Sequence, residues 1–447
     1  MARLVRDALV QGGLGSKDAS APLCDIIAPG MTVLLKPNWV LHYNKSGKGM
    51  DCMVTHPAFI EAVLREVVKA RPGKIIIGDA PIQSTILEAF VSAKWIARLK
   101  EIAHPYPLDV VDFRRRISHS GRWIVHVDKE RRDNSAYILY DMGKESALEP
   151  VSAVPEQFRN TSYDHKRLGA THFAGTHQYL LAREIIESDV VINLPKLKAH
   201  RKAGLTAALK NIVGVNGDKD FLPHHRVGGS AYGGDTYPGR APLKRIAEYC
   251  VDKANQKISS EEVSLSTAEF FVWQRISALF TRAHKALFGD GEMEGGWHGN
   301  DTVWRMVLDL NHIVLYGRPD GTLARTAQRK MYNLTDAIVA GEGLGPLSPE
   351  PRALGAVTFA SSSAFADLAH SALMYFDWKK IPLVLGAFDE AAYPLAHKKP
   401  ADVEIYAKGE RYTLDEAMHA FGQRFKPAPG WQNHVEIQET PSQSGKR

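Results

Sequence analysis

The segment that decides the fold is residues 31–79, which reads MTVLLKPNWVLHYNKSGKGMDCMVTHPAFIEAVLREVVKARPGKIIIGD. Residues 31–35 and 74–77 are short apolar runs of the kind that form buried strands. Between them, residues 55–57 (THP) predict the start of a helix over 58–70, because threonine is a good N-cap and proline suits the first helical turn. A strand, a helix and a strand joined by short connections predict a parallel crossover unit.

The same alternation continues along the chain. Helices are predicted over residues 179–187 and 203–213 with a strand over 189–193, and a further strand and helix over 355–360 and 364–375. This alternation predicts an α/β fold, with a parallel or mixed sheet, helices on both faces, and a mostly helical and loop insertion.

The predicted core is discontinuous in sequence. Residues 105–170 are polar, and residues 215–245 form a long segment rich in glycine and histidine, which is typical of a functional loop. The expected parts are an α/β core (25–104, 171–215 and 330–392), an insertion (105–170), a loop and helical insertion (216–329), and a C-terminal extension (393–447) with a frayed tail.

Composition excludes several classes of protein. The 447 residues carry a formal charge of +6, with 44% hydrophobic and 24% charged residues, as in ordinary globular proteins. Three scattered cysteines cannot build a disulfide framework, a four-cysteine zinc site or an all-cysteine iron–sulfur cluster, so no such cluster is expected. The sequence has no apolar run long enough for a membrane span and no secretion signal, so we expect a cytoplasmic protein without a membrane partner.

The segment richest in chemistry is residues 193–211, NLPKLKAHRKAGLTAALKN. It begins at the predicted carboxyl end of a strand, where α/β sheets bind ligands, and it leads into a predicted helix N-terminus, which favours anions. Residues 193–226 contain seven Lys or Arg against two acids. This excess predicts a cleft that binds a small anionic or sugar-like ligand, and its clustering at a strand end makes nucleic acid an unlikely partner.

The positions of individual side chains predict their roles. His200 is predicted to act as acid or base, with Lys210 and Asp79 as further catalytic residues. Thr206 and Lys210 are four residues apart and would share one face of the predicted helix. The residues predicted to bind the substrate or anion are Lys36, Asn38, Lys196, Lys198, Thr206 and Asn211.

Histidines suggest a metal. His224 and His225 lie close in sequence to Asp218 and Asp220, and imidazole with carboxylate suits iron, nickel, zinc or manganese. The predicted ligands are His200, His224 and His225, and the candidate metal is iron or nickel. For His172 and His177, whose spacing suits a metal poorly, and for His56 at a helix start, a structural role is favoured.

The chain resembles the domain of unknown function 362 family, some members of which are fused to iron–sulfur modules that this sequence lacks. Seven motifs carry the resemblance: LLKPN (34–38), THP (55–57), GDAP (78–81), DVVINLPKLKAH (189–200), LKN (209–211), GNDTVWRMVLDLN (299–311) and GEGLGPLSP (341–349). The sequence departs from the family at Ser363-Ala364, where members often carry Asp-Pro. The family implies no general function.

A weaker, local resemblance is to lactate racemase, a nickel-pincer enzyme. His200 and Lys210 have the spacing of a histidine and a lysine in that enzyme, which would imply a nickel cofactor and a hydroxy-acid substrate. The sequence departs from the racemase at Ala208-Leu209, where the enzyme has two glycines.

Three functions follow as hypotheses. The first is a metal-assisted enzyme, isomerase- or racemase-like, acting on a small anionic or polyhydroxylated substrate through His200 and Lys210. The second is an iron-dependent oxidoreductase using the same histidines. The third is a non-catalytic protein that binds an anion or a carbohydrate.

Overall fold

The computed structural model describes residues 1–120, 125–127, 131–161, 163–258, 263–289, 291–389 and 392–438. The described strands are β1 (Thr32–Pro37), β2 (Lys74–Asp79), β3 (Leu108–Asp112), β4 (Ser118–Ser120), β5 (Val125–Val127), β6 (Tyr137–Asp141), β7 (Phe158–Arg159), β8 (His172–Phe173), β9 (Thr176–Ala182), β10 (Val190–Leu194), β11 (Lys196–His200), β12 (Gly204–Thr206), β13 (His225–Arg226), β14 (Lys330–Leu344), β15 (Ser348–Ala360), β16 (Ile405–Ala407) and β17 (Glu410–Tyr412). The described α-helices are α1 (Ala2–Gln11), α2 (Pro57–Lys69), α3 (Ala93–Ala103), α4 (His165–Thr171), α5 (Arg183–Ile186), α6 (Ala208–Asn211), α7 (Pro242–Ile258), α8 (Val263–Phe288), α9 (Val303–Tyr316), α10 (Ser363–Leu373), α11 (Pro382–Gly386) and α12 (Leu414–Phe421).

The predicted α/β fold is confirmed. The central sheet has eight strands and is mixed: β3, β2, β1, β10, β14 and β11 run parallel in that order, β12 is antiparallel to β11, and β15 is antiparallel to β14. The crossover unit β1–α2–β2 forms as predicted, with His56 as N-cap of α2, its Nδ1 accepting from the backbone N–H of Ala58 at 3.1 Å.

Both faces of the sheet are covered. Because side chains alternate along a strand, Leu34 and Ile76 pack into one apolar cluster while their neighbours Val33 and Ile75 pack into the cluster on the opposite face. The first cluster also contains α9 and α10, and the second contains α2 and α3. The carboxyl ends of the parallel strands therefore lie at one edge of a sheet that is buried on both sides.

The predicted helix over 203–213 is wrong. After β11 the chain turns at Gly204, which has φ +80°, a left-handed conformation suited to glycine, and returns as β12 antiparallel to β11. Only Ala208–Asn211 (α6) is α-helical, so Thr206 does not share a helix face with Lys210. Pairing between β6 and β9 likewise places a strand where a helix over 179–187 was predicted, leaving only the short α5.

Two segments predicted as insertions contribute to the core. The strand β3, within residues 105–170, is the edge strand beside β2. The helix α9, within residues 216–329, packs its apolar side chains into the larger apolar cluster. Residues 439–447 of the predicted tail lie outside the described residues, whereas Val435 is buried. In the part of the chain that the structure describes, no helix is long and apolar enough to cross a membrane.

Candidate functional site

A buried ion pair joins the ends of β1 and β2. The Lys36 Nζ atom donates to Asp79 Oδ1 at 2.6 Å, and Asp79 Oδ2 accepts from the backbone N–H of Trp39 at 2.7 Å. Burial lowers the pKa of Lys36 and raises the pKa of Asp79, and the ion pair opposes both shifts. Both carboxylate oxygens of Asp79 are therefore engaged by the protein, and its catalytic role stays a prediction.

Glycine is required beside this pair. A Cβ atom on Gly214 would lie 1.8 Å from Asp79 Oδ1 and 2.7 Å from Lys36 Nζ. The backbone at Gly214 also accepts from the N–H of Ala80 at 2.7 Å. The loop after α6 is thus held against the strand ends by close backbone approach.

Asparagines connect the strand ends to α6. Asn38 Nδ2 donates to Asn211 Oδ1 at 2.8 Å, and Asn211 Nδ2 donates to Asn193 Oδ1 at 2.7 Å. Asn193 Nδ2 in turn donates to Asn333 Oδ1 at 2.8 Å. The structure thus brings the predicted residues Asn38 and Asn211 together, but their amides bond mainly to one another.

The two lysines of β11 differ in their partners. Lys196 forms a buried ion pair with Asp336, with 2.8 Å between Nζ and Oδ2, so its charge is already neutralised. Lys198 donates to Asn38 Oδ1 at 2.5 Å and to the carbonyl of Met53. Burial and the nearby charge of Lys196 lower the pKa of Lys198 well below its usual value.

The N-terminus of α6 is already occupied by a carboxylate side chain of the protein itself. The Asp367 carboxylate accepts the backbone N–H groups of Ala208 at 2.7 Å and Leu209 at 3.0 Å. The predicted binding of a substrate anion at this helix terminus is therefore wrong, because α10 supplies the carboxylate that occupies it.

Three further lysines surround the site without a carboxylate partner among the described residues. Lys202 donates to Thr161 Oγ1 at 3.1 Å, and Lys219 donates to the carbonyl of Ala80 at 3.0 Å. The side chain of Lys210 makes no hydrogen bond or ion pair with any residue that the structure describes. Burial, together with neighbouring lysines, lowers the pKa of Lys210 to about 7. Burial also lowers the pKa values of Lys202 and Lys219 to about 8.

Two imidazoles face these lysines in complementary tautomers. His200 Nδ1 accepts the backbone N–H groups of Lys202 at 3.0 Å and Ala203 at 3.1 Å, so the neutral ring carries its proton on Nε2. His224 Nδ1 donates to the carbonyl of Leu222 at 2.8 Å, which leaves its Nε2 free to accept. Burial and the charge of Lys210 lower both pKa values well below their usual range, so both rings are neutral at neutral pH.

These histidines do not fit the predicted metal centre. Within the described ranges, no group of three or more His, Cys, Asp or Glu side chains is arranged to hold a metal ion. His200 uses Nδ1 and His224 uses Nδ1 for backbone contacts, and the surrounding lysines would repel a divalent cation. His225, in β13, is paired with Arg159 of β7, and its buried Nδ1 has no described partner.

The remaining predicted residues lie as follows. Thr206, opposite Lys198 in the β11–β12 pair, has a buried hydroxyl with no described partner. His172 and His177 contact one another 3.4 Å apart between their Nδ1 atoms in the core, which agrees with a structural role.

Three residues that help to build the site were not predicted from the sequence. Asp367 and Asn333 lie more than 120 residues from α6 in sequence, and only the fold brings them beside it. Gly214 carried a weak signal as a helix terminator but none for its contact with the ion pair. A cavity of about 400 Å³ also opens elsewhere, between Glu342, Arg352 and Lys426, and it includes none of the predicted site residues.

Comparison with known proteins places the chain in a family. A curated relative, a thylakoid-associated protein of Synechocystis sp., is 27% identical over 206 residues, which are 45% of this chain and 42% of that protein. A solved structure from Thermotoga maritima covers 81% of this chain and 55% of its own, at 8% identity and a TM-score of 0.32. The chain thus spans about half the length of these proteins, and neither comparison shows the lactate racemase resemblance. The family model described as "Domain of unknown function (DUF362)" matches residues 33–122 and 115–369, and the chain belongs to this family.

Proposed function

We propose that the protein is an enzyme that binds a small anionic substrate among Lys202, Lys210 and Lys219 and moves a proton on it with His200 and His224. The observation that carries this proposal is the burial of three lysines without a carboxylate partner among the described residues. An isolated charge inside a protein costs several kcal/mol, and an anionic ligand offsets that cost. A phosphate or carboxylate group meets this requirement, and neighbouring hydroxyls fit the free hydroxyl of Thr206.

The neutral imidazoles supply the proposed acid–base chemistry. His200 Nε2–H donates to an oxygen of the substrate, and His224 Nε2 accepts a proton from it. This differs from the metal-assisted enzyme and the iron-dependent oxidoreductase expected from the sequence, because the donor set does not fit a metal. An isomerase-type proton transfer is the reaction that these groups support.

Anion binding is tested by calorimetry with inorganic phosphate and citrate, and with glucose as a neutral control. Binding an anion raises the pKa of each nearby lysine, so binding should take up protons and should weaken as salt rises. The proton uptake is measured as the slope of the observed binding enthalpy against the ionisation enthalpy of the buffer. Lys202→Met should weaken binding about tenfold, the effect of losing one charge-assisted hydrogen bond. Lys94→Met, at an exposed position of α3, is the matched control. Equal affinity for glucose, or no proton uptake, would contradict the proposal.

Catalysis is tested by deuterium exchange. Each bound hydroxy or oxo acid is incubated with the protein in D₂O, and its carbon-bound hydrogens are followed by NMR. His224→Gln should abolish exchange and retain anion binding. Binding without exchange would instead support the non-catalytic anion- or carbohydrate-binding protein.

A cytoplasmic location is part of the proposal. The printed name of the Synechocystis relative associates that protein with thylakoids, and it is similar to less than half of this chain. Fractionation of cells expressing the full chain, with immunodetection in the soluble and membrane fractions, tests the location.

A further inference from the structure

The amine of Lys210 is buried without a hydrogen-bond partner among the described residues, which anion binding alone does not require. Lys202 and Lys219 each donate to an oxygen of the protein, and Lys36 donates to Asp79. The Lys210 side chain is 9% exposed and lacks any such partner among the described residues. The charged amine therefore keeps all three N–H donors available for a ligand, and the neutral amine keeps its lone pair available.

We infer that Lys210 forms a covalent imine with the carbonyl group of a small anionic substrate, such as a 2-oxo acid or a phosphorylated aldehyde. This inference rests on the proposed function, because the neighbouring lysines hold the anionic group of the same substrate. It adds a nucleophile and restricts the substrate to compounds that carry both an anion and a carbonyl.

Attack requires a neutral amine. Burial and the charges of Lys202 and Lys219 lower the pKa of Lys210 to about 7, so about half of the amine is neutral at neutral pH. Desolvation beside other cations is a known way of activating a lysine as a nucleophile. Those same cations attract the anionic group and thereby raise the local concentration of the carbonyl compound.

The proposed step conserves atoms and charge. The Nζ lone pair forms a bond to the carbonyl carbon, and the π electrons of the C=O bond move to the oxygen. His224 Nε2 takes a proton from the resulting ammonium, and the oxygen takes a proton, which gives a neutral carbinolamine. The nitrogen lone pair then expels the hydroxyl, which leaves as water with the proton returned by His224. Overall, the amine, the carbonyl and one proton from solvent give a protonated imine and water.

Two donors within residues 200–210 suit the carbinolamine oxygen. His200 presents Nε2–H, because its Nδ1 accepts two backbone N–H groups. The buried Thr206 hydroxyl has no described partner, and it lies at the end of β12, just before α6. Both are donors that oxygen requires as it gains negative charge.

Reductive trapping tests the inference on the wild-type chain. Glyoxylate, an anionic aldehyde, is added with sodium cyanoborohydride near pH 7, and peptide mapping locates any carboxymethyl group left on a lysine. Propionaldehyde is the matched neutral aldehyde, and labelling at exposed Lys94 gives the background. We expect Lys210 to be labelled at least about tenfold faster than Lys94 by glyoxylate, and inorganic phosphate to compete.

The outcomes separate the two proposals. Anion binding with proton uptake, but with Lys210 labelled no faster than Lys94, overturns the imine and leaves the proposed function intact. Equal labelling of Lys210 by propionaldehyde and glyoxylate overturns the anionic substrate class. Lys210→Arg keeps the charge and removes the nucleophile, so it should bind phosphate yet show no adduct at position 210. An adduct confined to Lys202 or Lys219 also overturns the assignment.

Discussion

Replacing Lys210 with methionine should change how the stability of the protein depends on pH. In the folded protein, burial among lysines lowers the pKa of Lys210 from 10.5 to about 7. Between these two values the unfolded chain holds the proton that the folded protein has lost. Unfolding therefore takes up a proton, and the free energy of unfolding rises with pH across this window.

The magnitude follows from the size of the shift. Each pKa unit corresponds to about 1.4 kcal/mol, so the charged lysine destabilises the unliganded fold by about 5 kcal/mol below pH 7. The penalty declines as the folded-state lysine deprotonates, and it disappears above the unfolded-state pKa. From pH 7 to pH 9 the wild type should gain about 2 kcal/mol relative to Lys210→Met, in which the side chain does not titrate.

The assay is urea unfolding followed by tryptophan fluorescence at several pH values between 6 and 9.5. Buried groups that do not interact with Lys210 titrate equally in both proteins and cancel in the difference. Lys94→Met, on the exposed face of α3, should parallel the wild type at every pH. Saturating phosphate should flatten the wild-type profile, since a bound anion restores the charged lysine. Parallel profiles for the wild type and Lys210→Met without phosphate would refute an unpartnered, desolvated Lys210.

Two further predictions concern how the site is built. Gly214→Ala should destabilise the protein by about 3 kcal/mol in urea unfolding, because the new Cβ displaces the buried Lys36–Asp79 pair. An unchanged urea midpoint would contradict this, since it would show that the backbone at residue 214 moves away freely. Asp367→Ala should lower the free energy of unfolding by about 2–4 kcal/mol in the same assay, because it leaves the buried N–H groups of Ala208 and Leu209 without an acceptor. Asp367→Asn should lower it less, because the amide oxygen still accepts one of these N–H groups. Equal losses for the two variants would contradict the capping role.

Much of the sheet could be predicted from sequence because its signals are local. The apolar runs at 31–35, 74–77 and 189–193 each form a strand of the central sheet. The helix predicted after THP (55–57) also forms, but its N-cap is His56, because the hydroxyl of the predicted cap Thr55 donates to the carbonyl of Leu194 instead. The family was also predictable, since its motifs span residues 34–349 in order. Parallel strands then bring Lys36, Asp79 and Asn193 to one edge by geometry alone.

The region after His200 could not be predicted in the same way. Residues 205–211 (LTAALKN) contain the strong helix formers Leu, Ala and Lys, yet residues 204–206 form a strand because they pair with β11. The carboxylate that caps α6 comes from Asp367, and no local pattern links it to Ala208. Counting cations over 193–226 located the basic cluster but could not separate the paired Lys196 from the unpaired Lys210, since that distinction depends on Asp336.

The positions of the carboxylates explain which cations are left for a ligand. The innermost lysines of the site are Lys36, Lys196 and Lys198, which are 0%, 1% and 0% exposed. Lys36 and Lys196 each have an aspartate, and Lys198 donates to Asn38 Oδ1 and the carbonyl of Met53. A third aspartate occupies the N–H groups of α6. The other three lysines of the site, Lys202, Lys219 and Lys210, also lack a described carboxylate partner, and at 7%, 8% and 9% exposed they lie nearer to solvent than Lys198. In the proposed function the ligand enters from solvent, so the uncompensated charge lies where the ligand would arrive. We expect three adjacent cations to favour a ligand with two or more negative charges over a simple monoanion.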